Sequence, residues 1–189
     1  MDFKIRIKIL LVFLIFCSFA CNHKKADESH LILPGIGFDE FQIKKITSTD
    51  IMKNLGLGYT IDSHFVDQDP FIENIELMPG YNKMLFSISY TWDSLGLSFY
   101  FKPKNDTCIS ISFMNPFKGK TAQNIYLDSS TFNDVVKSYG EIEWLFTKNT
   151  IIKDYDSIVF STDFHGSFPV KDSVLTTYLD KKVTEIVIH

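Results

Sequence analysis

The chain has 189 residues, of which 45% are hydrophobic and 15% aromatic, and its formal net charge at pH 7 is −4. This length and composition suffice for one sizeable hydrophobic core or two small ones, so stability does not require disulfides. Arg6 is the only arginine, and an acidic chain that otherwise lacks the guanidinium forks that grip phosphates is not expected to bind nucleic acid.

Residues 1–20 have the layout of a secretory signal peptide, with a basic start, an apolar run over residues 9–17 and small residues at the end. The run is too short to cross a bilayer, because a transmembrane helix needs about 20 apolar residues. We therefore expect residues 1–20 to be removed. The remaining chain would carry 16 lysines and 22 acidic residues, a net charge of −6.

The residue after the predicted cut is Cys21. Residues 18–21, Ser-Phe-Ala-Cys, resemble the lipobox of bacterial lipoproteins, which implies acylation of Cys21 on its sulfur and on its new amino group. Stable anchoring needs at least two membrane-binding signals, because a single acyl chain binds a bilayer only marginally. The alternative is an ordinary small-x-small cleavage site, which would leave the same N-terminus with a free thiol.

Residues 21–30 combine this cysteine with a polar stretch that has no apolar periodicity, so they are predicted to be a lipidated tether. Among lipoproteins of this kind, an aspartate after the cysteine often retains the protein at the inner membrane. Asn22 does not match that signal. We therefore expect a bacterial envelope protein that is lipid-anchored in the outer membrane, at its periplasmic face or at the cell surface.

Cys108 is the remaining cysteine once Cys17 leaves with the signal and Cys21 carries lipid, so no intrachain disulfide is expected. If Cys21 were free, a bridge from Cys21 to Cys108 would be possible in an oxidising compartment. Cys108 lies in an alternating run over residues 107–113 that predicts a strand, and a buried cysteine in a strand behaves as a small hydrophobe.

A sequence repeat organises the rest of the chain. Residues 47–56 align without gaps on residues 131–140, with the shared pattern T-x-x-D-[IV]-[MV]-K-x-[LY]-G at an offset of 84. The threonine and the aspartate three positions later suit a helix N-terminus, and glycine suits the position after its end. Each copy therefore predicts a short capped helix.

Alternating runs predict antiparallel strands around these helices. The offset of 84 also pairs Phe41 with Ile125 and Ile43 with Leu127, which places a short strand before each helix. The predicted strands after the helices lie at residues 85–90, 97–101 and around 108, and then at 157–160, 175–179 and 183–188. The pattern of Cys108, Ile111 and Phe113 recurs at Val183, Ile186 and Ile188 with an offset of 75.

The predicted fold class is α+β, with two related modules at residues 31–115 and 116–189, each a short helix packed on a small antiparallel β-sheet. The capped helix followed by strands ending V-x-x-I-x-I resembles the small modules of the outer-membrane-assembly lipoprotein and of the β-lactamase inhibitor protein, which duplicates such a module. The resemblance implies a protein that binds other proteins with its sheet and loops and catalyses nothing.

Residues 57–82 form a long predicted connection with a charge of −5 and several aromatic residues. Long loops on a rigid scaffold often carry binding residues. The candidate binding residues are Tyr59, Asp62, Phe65, Asp67, Asp69, Phe71, Glu73 and Tyr81. The alternative is a solvated excursion whose aromatic side chains cover one end of the core.

No catalytic, metal or cofactor motif is present in the sequence, so none of these sites is predicted and an enzyme is not expected. The leading hypothesis is a lipid-anchored envelope protein that acts as a non-catalytic protein-binding module, as an envelope accessory, inhibitor or immunity factor. The alternative is a surface receptor for a small molecule or glycan that uses the acidic loop 57–82.

Overall fold

The computed structural model describes residues 29–67, 83–146, 150–163 and 172–189. Within these ranges the fold is mixed α+β with more strand than helix, so the predicted α+β class is confirmed. The helices are α1 (Ser48–Leu55), α2 (Phe132–Tyr139) and α3 (Asp172–Tyr178). The strands are β1 (His30–Leu33), β2 (Gly37–Phe38), β3 (Phe41–Gln42), β4 (Thr60–Asp67), β5 (Lys83–Trp92), β6 (Leu97–Lys102), β7 (Thr107–Met114), β8 (Gly119–Thr121), β9 (Leu145–Phe146), β10 (Thr150–Tyr155), β11 (Ile158–Asp163) and β12 (Glu185–Ile188). No helix in these ranges is long and apolar enough to cross a membrane.

Eight strands form one antiparallel sheet in the order β4-β5-β6-β7-β12-β11-β10-β9. Read from either edge toward the centre, each half of the chain contributes four strands in chain order. The halves meet where β7 pairs with β12, with Phe113 opposite Ile186 and Ile111 opposite Ile188. These four side chains are fully buried, so burial of apolar surface favours one joined sheet over the two small sheets expected from the sequence.

A second sheet of four short strands has the order β3-β2-β1-β8. β1 runs parallel to β8, with His30 opposite Gly119 and Ile32 opposite Thr121. The pairing joins the start of the described chain to its second half. Ile32 is completely buried in the main core, so this small sheet packs against the large one.

Both repeat segments form the predicted capped helices. Thr47 caps α1 in a capping box with Asp50, and Thr131 caps α2 in the same way with Asp134. Both helices end at glycines, which have φ values of 74° and 91°, in the left-handed region that side chains disfavour. The helix predictions are therefore confirmed at both ends.

Both helices pack on the large sheet through buried apolar side chains, which in α2 include Phe132 as well as Val135. Ile51 of α1 and Val135 of α2 are fully buried in the same core cluster as Phe99 and Phe160. Cys108 also lies in this cluster, as expected for a strand cysteine. A smaller cluster of Ile151 and Tyr178, with further side chains packed against it, attaches α3 to β10.

Each half of the chain forms the same kind of hydrogen bond at an equivalent position. The Lys44 N–H donates to the Cys108 carbonyl at 2.9 Å, and the Asp128 N–H donates to the Val183 carbonyl at 2.8 Å. Lys44 and Asp128 stand 84 residues apart, and both adopt positive φ, at 65° and 59°. In each half, this hydrogen bond holds the segment that precedes the helix against the last strand of that half, at β7 or just before β12.

The two helix C-termini also receive a hydrogen bond from an aromatic side chain. The Trp92 indole N–H donates to the Gly56 carbonyl at 3.2 Å, and the Tyr155 hydroxyl donates to the Gly140 carbonyl at 2.7 Å. Trp92 ends β5 and Tyr155 ends β10, so each half ties its helix end to the last residue of the corresponding strand.

Three local predictions were wrong. The short strand expected at Ile125 and Leu127 before α2 is an isolated bridge from Tyr126 to Lys120, and the strand that precedes α2 is β8. Residues 175–179 were expected to be a strand, but α3 covers most of them, because a helical turn places Leu175 and Tyr178 together against Ile151. Residues 60–67, expected to lie in a loop, form strand β4, because their backbone pairs with β5 along its whole length. The predicted strands at 85–90, 97–101, around 108, and at 157–160 and 183–188 are present within slightly shifted bounds.

Candidate functional site

The candidate site lies on the face of the eight-stranded sheet that points away from the core, which we call the open face. Successive side chains in a strand alternate between faces, and directly paired residues share a face. Because Phe113 is buried in the core, its neighbour Ser112 belongs to the open face. A polar cluster on the open face runs from the edge strand β4 to the central strand β12 and is formed by Asp62, His64, Ser89, Tyr100, Ser112 and Glu185.

Glu185 begins β12 and is held by hydroxyl groups from both neighbouring strands. The Ser112 hydroxyl donates to Oε1 at 2.5 Å, and the Ser161 hydroxyl donates to Oε2 at 2.8 Å. Both carboxylate oxygens therefore have a fixed direction. Hydrogen bonds to an ionised acceptor are roughly twice as strong as those between neutral groups, so this contact orders the centre of the face.

Tyr100 stands on β6 within the field of two carboxylates. Burial raises the pKa of Tyr100 above its ordinary value of 10.0, and the negative charges of Glu185 and Asp62 raise this pKa further. The phenol is therefore protonated at neutral pH and offers a hydroxyl donor. Tyr100 therefore experiences the charge of one carboxylate on the edge strand β4 and one on the central strand β12.

His64 belongs to the edge strand β4 and extends this cluster along that edge. Its Nε2 lies 2.8 Å from the Ser89 hydroxyl oxygen, and its ring centroid is 5.4 Å from that of Tyr100. The Thr91 and Ser98 hydroxyls lie 2.9 Å apart on the same face. The open face therefore carries three separate hydrogen-bonded groups: His64 with Ser89, Thr91 with Ser98, and Glu185 with its two serines.

Small and large side chains occupy different depths on this face. Ser89, Ser98 and Ser112 are at most 3% exposed, although the core clusters formed by the described residues lie on the other side of their strands. The larger side chains beside them are half-buried, namely Tyr100, Met114, Val159, Glu185 and Val187. The serine side chains lie deeper and their hydroxyls already form hydrogen bonds. A binding partner would therefore contact the larger side chains, which extend further from the sheet.

The described residues hold no group of three or more His, Cys, Asp or Glu side chains arranged to bind a metal ion. Cys108 is equally unsuited to chemistry at the surface, because burial raises its pKa to about 12. A thiol with this pKa stays protonated at neutral pH and is a poor nucleophile and metal ligand.

The residues predicted to form a binding loop lie in different places. Tyr59 packs on the core side, with its ring 5.0 Å from Trp92 and its hydroxyl donating to the Met52 sulfur at 3.0 Å. Asp62 and Phe65 are exposed in β4, and the backbone of Asp67 ends that strand. The remaining candidates, Asp69, Phe71, Glu73 and Tyr81, lie outside the described residues.

Of the predicted residues, the structure brings Asp62 into the polar cluster. Tyr100, Ser112 and Glu185 were not predicted as site residues. They lie in or beside the strands predicted at 97–101, around 108 and at 183–188. The signal that identifies them is the alternation itself, because the polar residues of a half-buried strand mark its outer face.

A second polar feature lies on the core side, at the other edge of the sheet. Lys153 of β10 is completely buried and donates hydrogen bonds to the Glu141 carboxylate and the Ile142 carbonyl. Its ammonium also lies 4.2 Å from the ring centre of Trp144. Glu141 keeps 66% of its side chain exposed, so a buried cation is paired with a solvated anion. The role of this pair is to close the packing beneath α2.

Comparison of the chain with protein-family models, with curated proteins and with solved structures found no match in any of the three.

Proposed function

We propose that this protein is a lipid-anchored component of the bacterial envelope that binds another protein, without catalysis, through the open face of its large sheet. The observation that carries the proposal is the arrangement at the centre of that face. Half-buried Tyr100, Glu185 and Val187 stand over serines whose hydroxyls already have partners.

The size of the face fits a protein partner. Eight strands at about 4.8 Å spacing are about 34 Å wide, and central strands of about six residues are about 20 Å long. The product is on the order of 700 Å², close to the roughly 800 Å² that each partner contributes to a standard interface. A small molecule would cover only a fraction of this area.

The chemistry of the face indicates the kind of partner surface. Tyr100 combines an apolar ring with a hydroxyl, and tyrosine is among the residues enriched at interface hot spots. Asp62 and Glu185 add two negative charges around its phenol. We therefore expect the partner to place a lysine or arginine against this centre, where its cation can meet both carboxylates and the ring.

The anchor is proposed to be the acylated Cys21, with residues 22–29 as tether. The described chain starts beside β1, so the tether reaches the body at the small sheet. The nine residue-to-residue steps from Cys21 to His30 span at most about 30 Å when fully extended. An anchored body would thus remain within one domain diameter of the bilayer, at the surface where envelope partners are concentrated.

We also propose that residues 31–115 and 116–189 descend from one duplicated module. The capped helices, the hydrogen bonds from Lys44 and Asp128, and the meeting of β7 with β12 all support a common origin. The resemblance to the outer-membrane-assembly lipoprotein and to the β-lactamase inhibitor protein implies the same style of function, since those proteins bind partners with their sheets.

The proposal is tested by affinity capture of the full chain from chemically crosslinked membranes. Val187→Lys places a cation in the middle of the open face, and we expect it to abolish capture of the partner. Leu57→Lys is the matched control, because Leu57 is 91% exposed in the loop after α1 and outside the open face. Equal capture by both variants, or no reproducible protein with the wild type, would contradict the proposal.

Lipidation is tested separately by the intact mass of the protein extracted from membranes. We expect a mass that corresponds to residues 21–189 with acyl groups on Cys21. An unmodified Cys21 would contradict the proposed lipid anchor. It would not decide whether the open face binds a protein, which the capture experiment tests separately.

A further inference from the structure

The two edges of the large sheet are protected very differently. One edge is β9, which has two residues, and natural proteins often blunt an edge by making its strand this short. The other edge is β4, which has eight residues and pairs with β5 on one side. Among the described strands, none pairs with the opposite side of β4.

β4 also lacks two of the residues that discourage strand pairing at an edge. Its sequence, TIDSHFVD, has neither lysine nor proline, the residues that most often guard an exposed edge. Ile61 and Phe65 lie on one side of this strand and are 55% and 56% exposed. A long edge strand with exposed apolar groups is a template for another strand.

We propose that a second copy of this chain pairs with β4, antiparallel, with Ser63 of the two copies on the twofold axis. In this register Ile61 of each copy lies opposite Phe65 of the other, and Asp62 lies opposite His64. Pairs of an aromatic with a β-branched residue, and pairs of a carboxylate with a basic group, each stabilise an antiparallel sheet. The strand is therefore complementary to itself.

Neighbouring registers lack this complementarity. Centring the pair on Asp62 places two carboxylates directly opposite each other, and like charges in that position are destabilising. Centring it on His64 places the two imidazoles together and sets Asp62 against an apolar valine. The register centred on Ser63 is the one in which both the apolar and the polar residues of this strand find suitable partners.

The proposed pairing has a consequence for the open face. The twofold axis would be perpendicular to the sheet, so it would not turn either copy over. The open faces of the two copies would therefore lie side by side on the same side of the joined sheet. The pair would present sixteen continuous strands with His64 of each copy near the middle. This inference does not depend on the proposed partner of the open face, because it rests on the edge strand alone.

The test is disulfide trapping with the full chain in its membrane, using copper-phenanthroline as oxidant. In Ser63→Cys, the two thiols at the axis would be carried by Cα atoms about 4.5–5.5 Å apart, within the range that a disulfide bridges. In the control Thr60→Cys, residue 60 faces Val66 of the other copy. The two engineered thiols would then be about 20 Å apart, because six residues separate their positions along the strands.

We expect a reducible species of twice the chain mass with Ser63→Cys, and none with Thr60→Cys or with the unmodified chain, in which Cys108 is buried. Adding Ile61→Lys to Ser63→Cys should lower the dimer yield at least tenfold, because lysine would oppose Phe65. Thermal melting of each variant checks that the fold is retained. Absence of the dimer with folded Ser63→Cys, equal yields for both cysteine positions, or a disulfide to a different protein would overturn the proposal.

Discussion

Ser112 and Val187 face each other as paired residues at the centre of the eight-stranded sheet. They are 75 residues apart, the same offset that relates Ile111 to Ile186 and Phe113 to Ile188 in the sequence. The register at the junction is therefore symmetric about this pair. The closing strands of the two halves bury their apolar residues against each other, so the halves share one core.

A shared core predicts that the two halves unfold together. The chain has two tryptophans, Trp92 in the first half and Trp144 in the second. We expect Trp92→Phe and Trp144→Phe each to leave one fluorescent probe, and the probes to follow the same denaturation profile as circular dichroism in the same variant. Adding Ile186→Ala to either variant should lower stability by about 2–5 kcal/mol, since Ile186 is fully buried.

The contrary outcome would be two separated transitions, with Trp92 reporting one and Trp144 the other. A matched control is Ile142→Ala, because Ile142 is 37% exposed and its truncation should change stability by much less than that of Ile186.

The capping boxes predict a loss of stability in acid. Hydrogen bonds from the Thr131 backbone and side chain lower the pKa of Asp134 below its ordinary value of 3.8. A carboxyl group with a lowered folded-state pKa stabilises the fold above its unfolded pKa, and this contribution is lost as the pH falls through the folded pKa. We expect Asp134→Asn to be less stable than wild type at pH 7 and the difference to shrink below about pH 4.

Chemical denaturation across pH 2–7 measures this difference. Asp180→Asn serves as the control because Asp180 is exposed outside both capping boxes. A difference that stayed constant down to pH 2 would show that the Asp134 carboxylate does not act through its charge.

The buried Lys153 predicts unequal costs for removing the two members of its ion pair. Glu141→Ala leaves the Lys153 cation buried beside Trp144 without its counter-charge, and we expect this to cost about 1–3 kcal/mol, since the Ile142 carbonyl still accepts a hydrogen bond from Lys153. Lys153→Met fills a similar volume and leaves a carboxylate that is already mostly in water. We expect the methionine variant to be the more stable of the two by urea denaturation. The opposite order would contradict the view that Lys153 is a buried cation that depends on Glu141.

The burial of Cys108 predicts an inert thiol. Burial raises the pKa of Cys108 to about 12, so its thiolate is scarce at pH 8. We expect a disulfide-exchange reagent to leave Cys108 unmodified in the native protein and to modify it fully in denaturant. Leu57→Cys supplies the control, since Leu57 is 91% exposed in the loop between α1 and β4 and a thiol there should react in the folded state. Equal rates at both positions would contradict the burial of Cys108.

The helices could be predicted from the sequence because their signals are local. Thr131, Asp134 and Gly140 lie within ten residues, and each interacts with its own helix. The strand β1 is different, because its parallel partner β8 is about 90 residues away and nothing in its four residues specifies that pairing. Contacts of this kind depend on the assembled core.

Two of the local errors have physical reasons that involve contacts with distant parts of the chain. Thr176 and Thr177 favour a strand by their β-branched side chains, but packing of α3 on Ile151 overrides this propensity. Residues 60–67 do alternate, with Ile61 and Phe65 on one side, yet their acidic neighbours made the segment resemble a loop. Their strand depends on pairing with β5.

The candidate site was predictable only in part. The exposed position of Asp62 follows from its sequence context, whereas its proximity to Tyr100 and Glu185 follows from the order and register of strands β4, β5, β6, β7 and β12. A single sequence specifies which residues of a strand share a face. It does not specify which strands lie side by side, so the polar cluster becomes visible in the folded sheet.

The most direct test of the proposed role of the open face is site-specific photocrosslinking of the full chain in its native membrane. A photoreactive amino acid at position 187 lies at the centre of the open face, and the same group at position 57 lies outside it. We predict that position 187 forms an adduct with one reproducible protein, identified by mass spectrometry, and that position 57 does not form this adduct. An adduct with the same protein at position 57 alone, or no protein adduct at position 187 in the folded chain, would contradict the proposed role of the face.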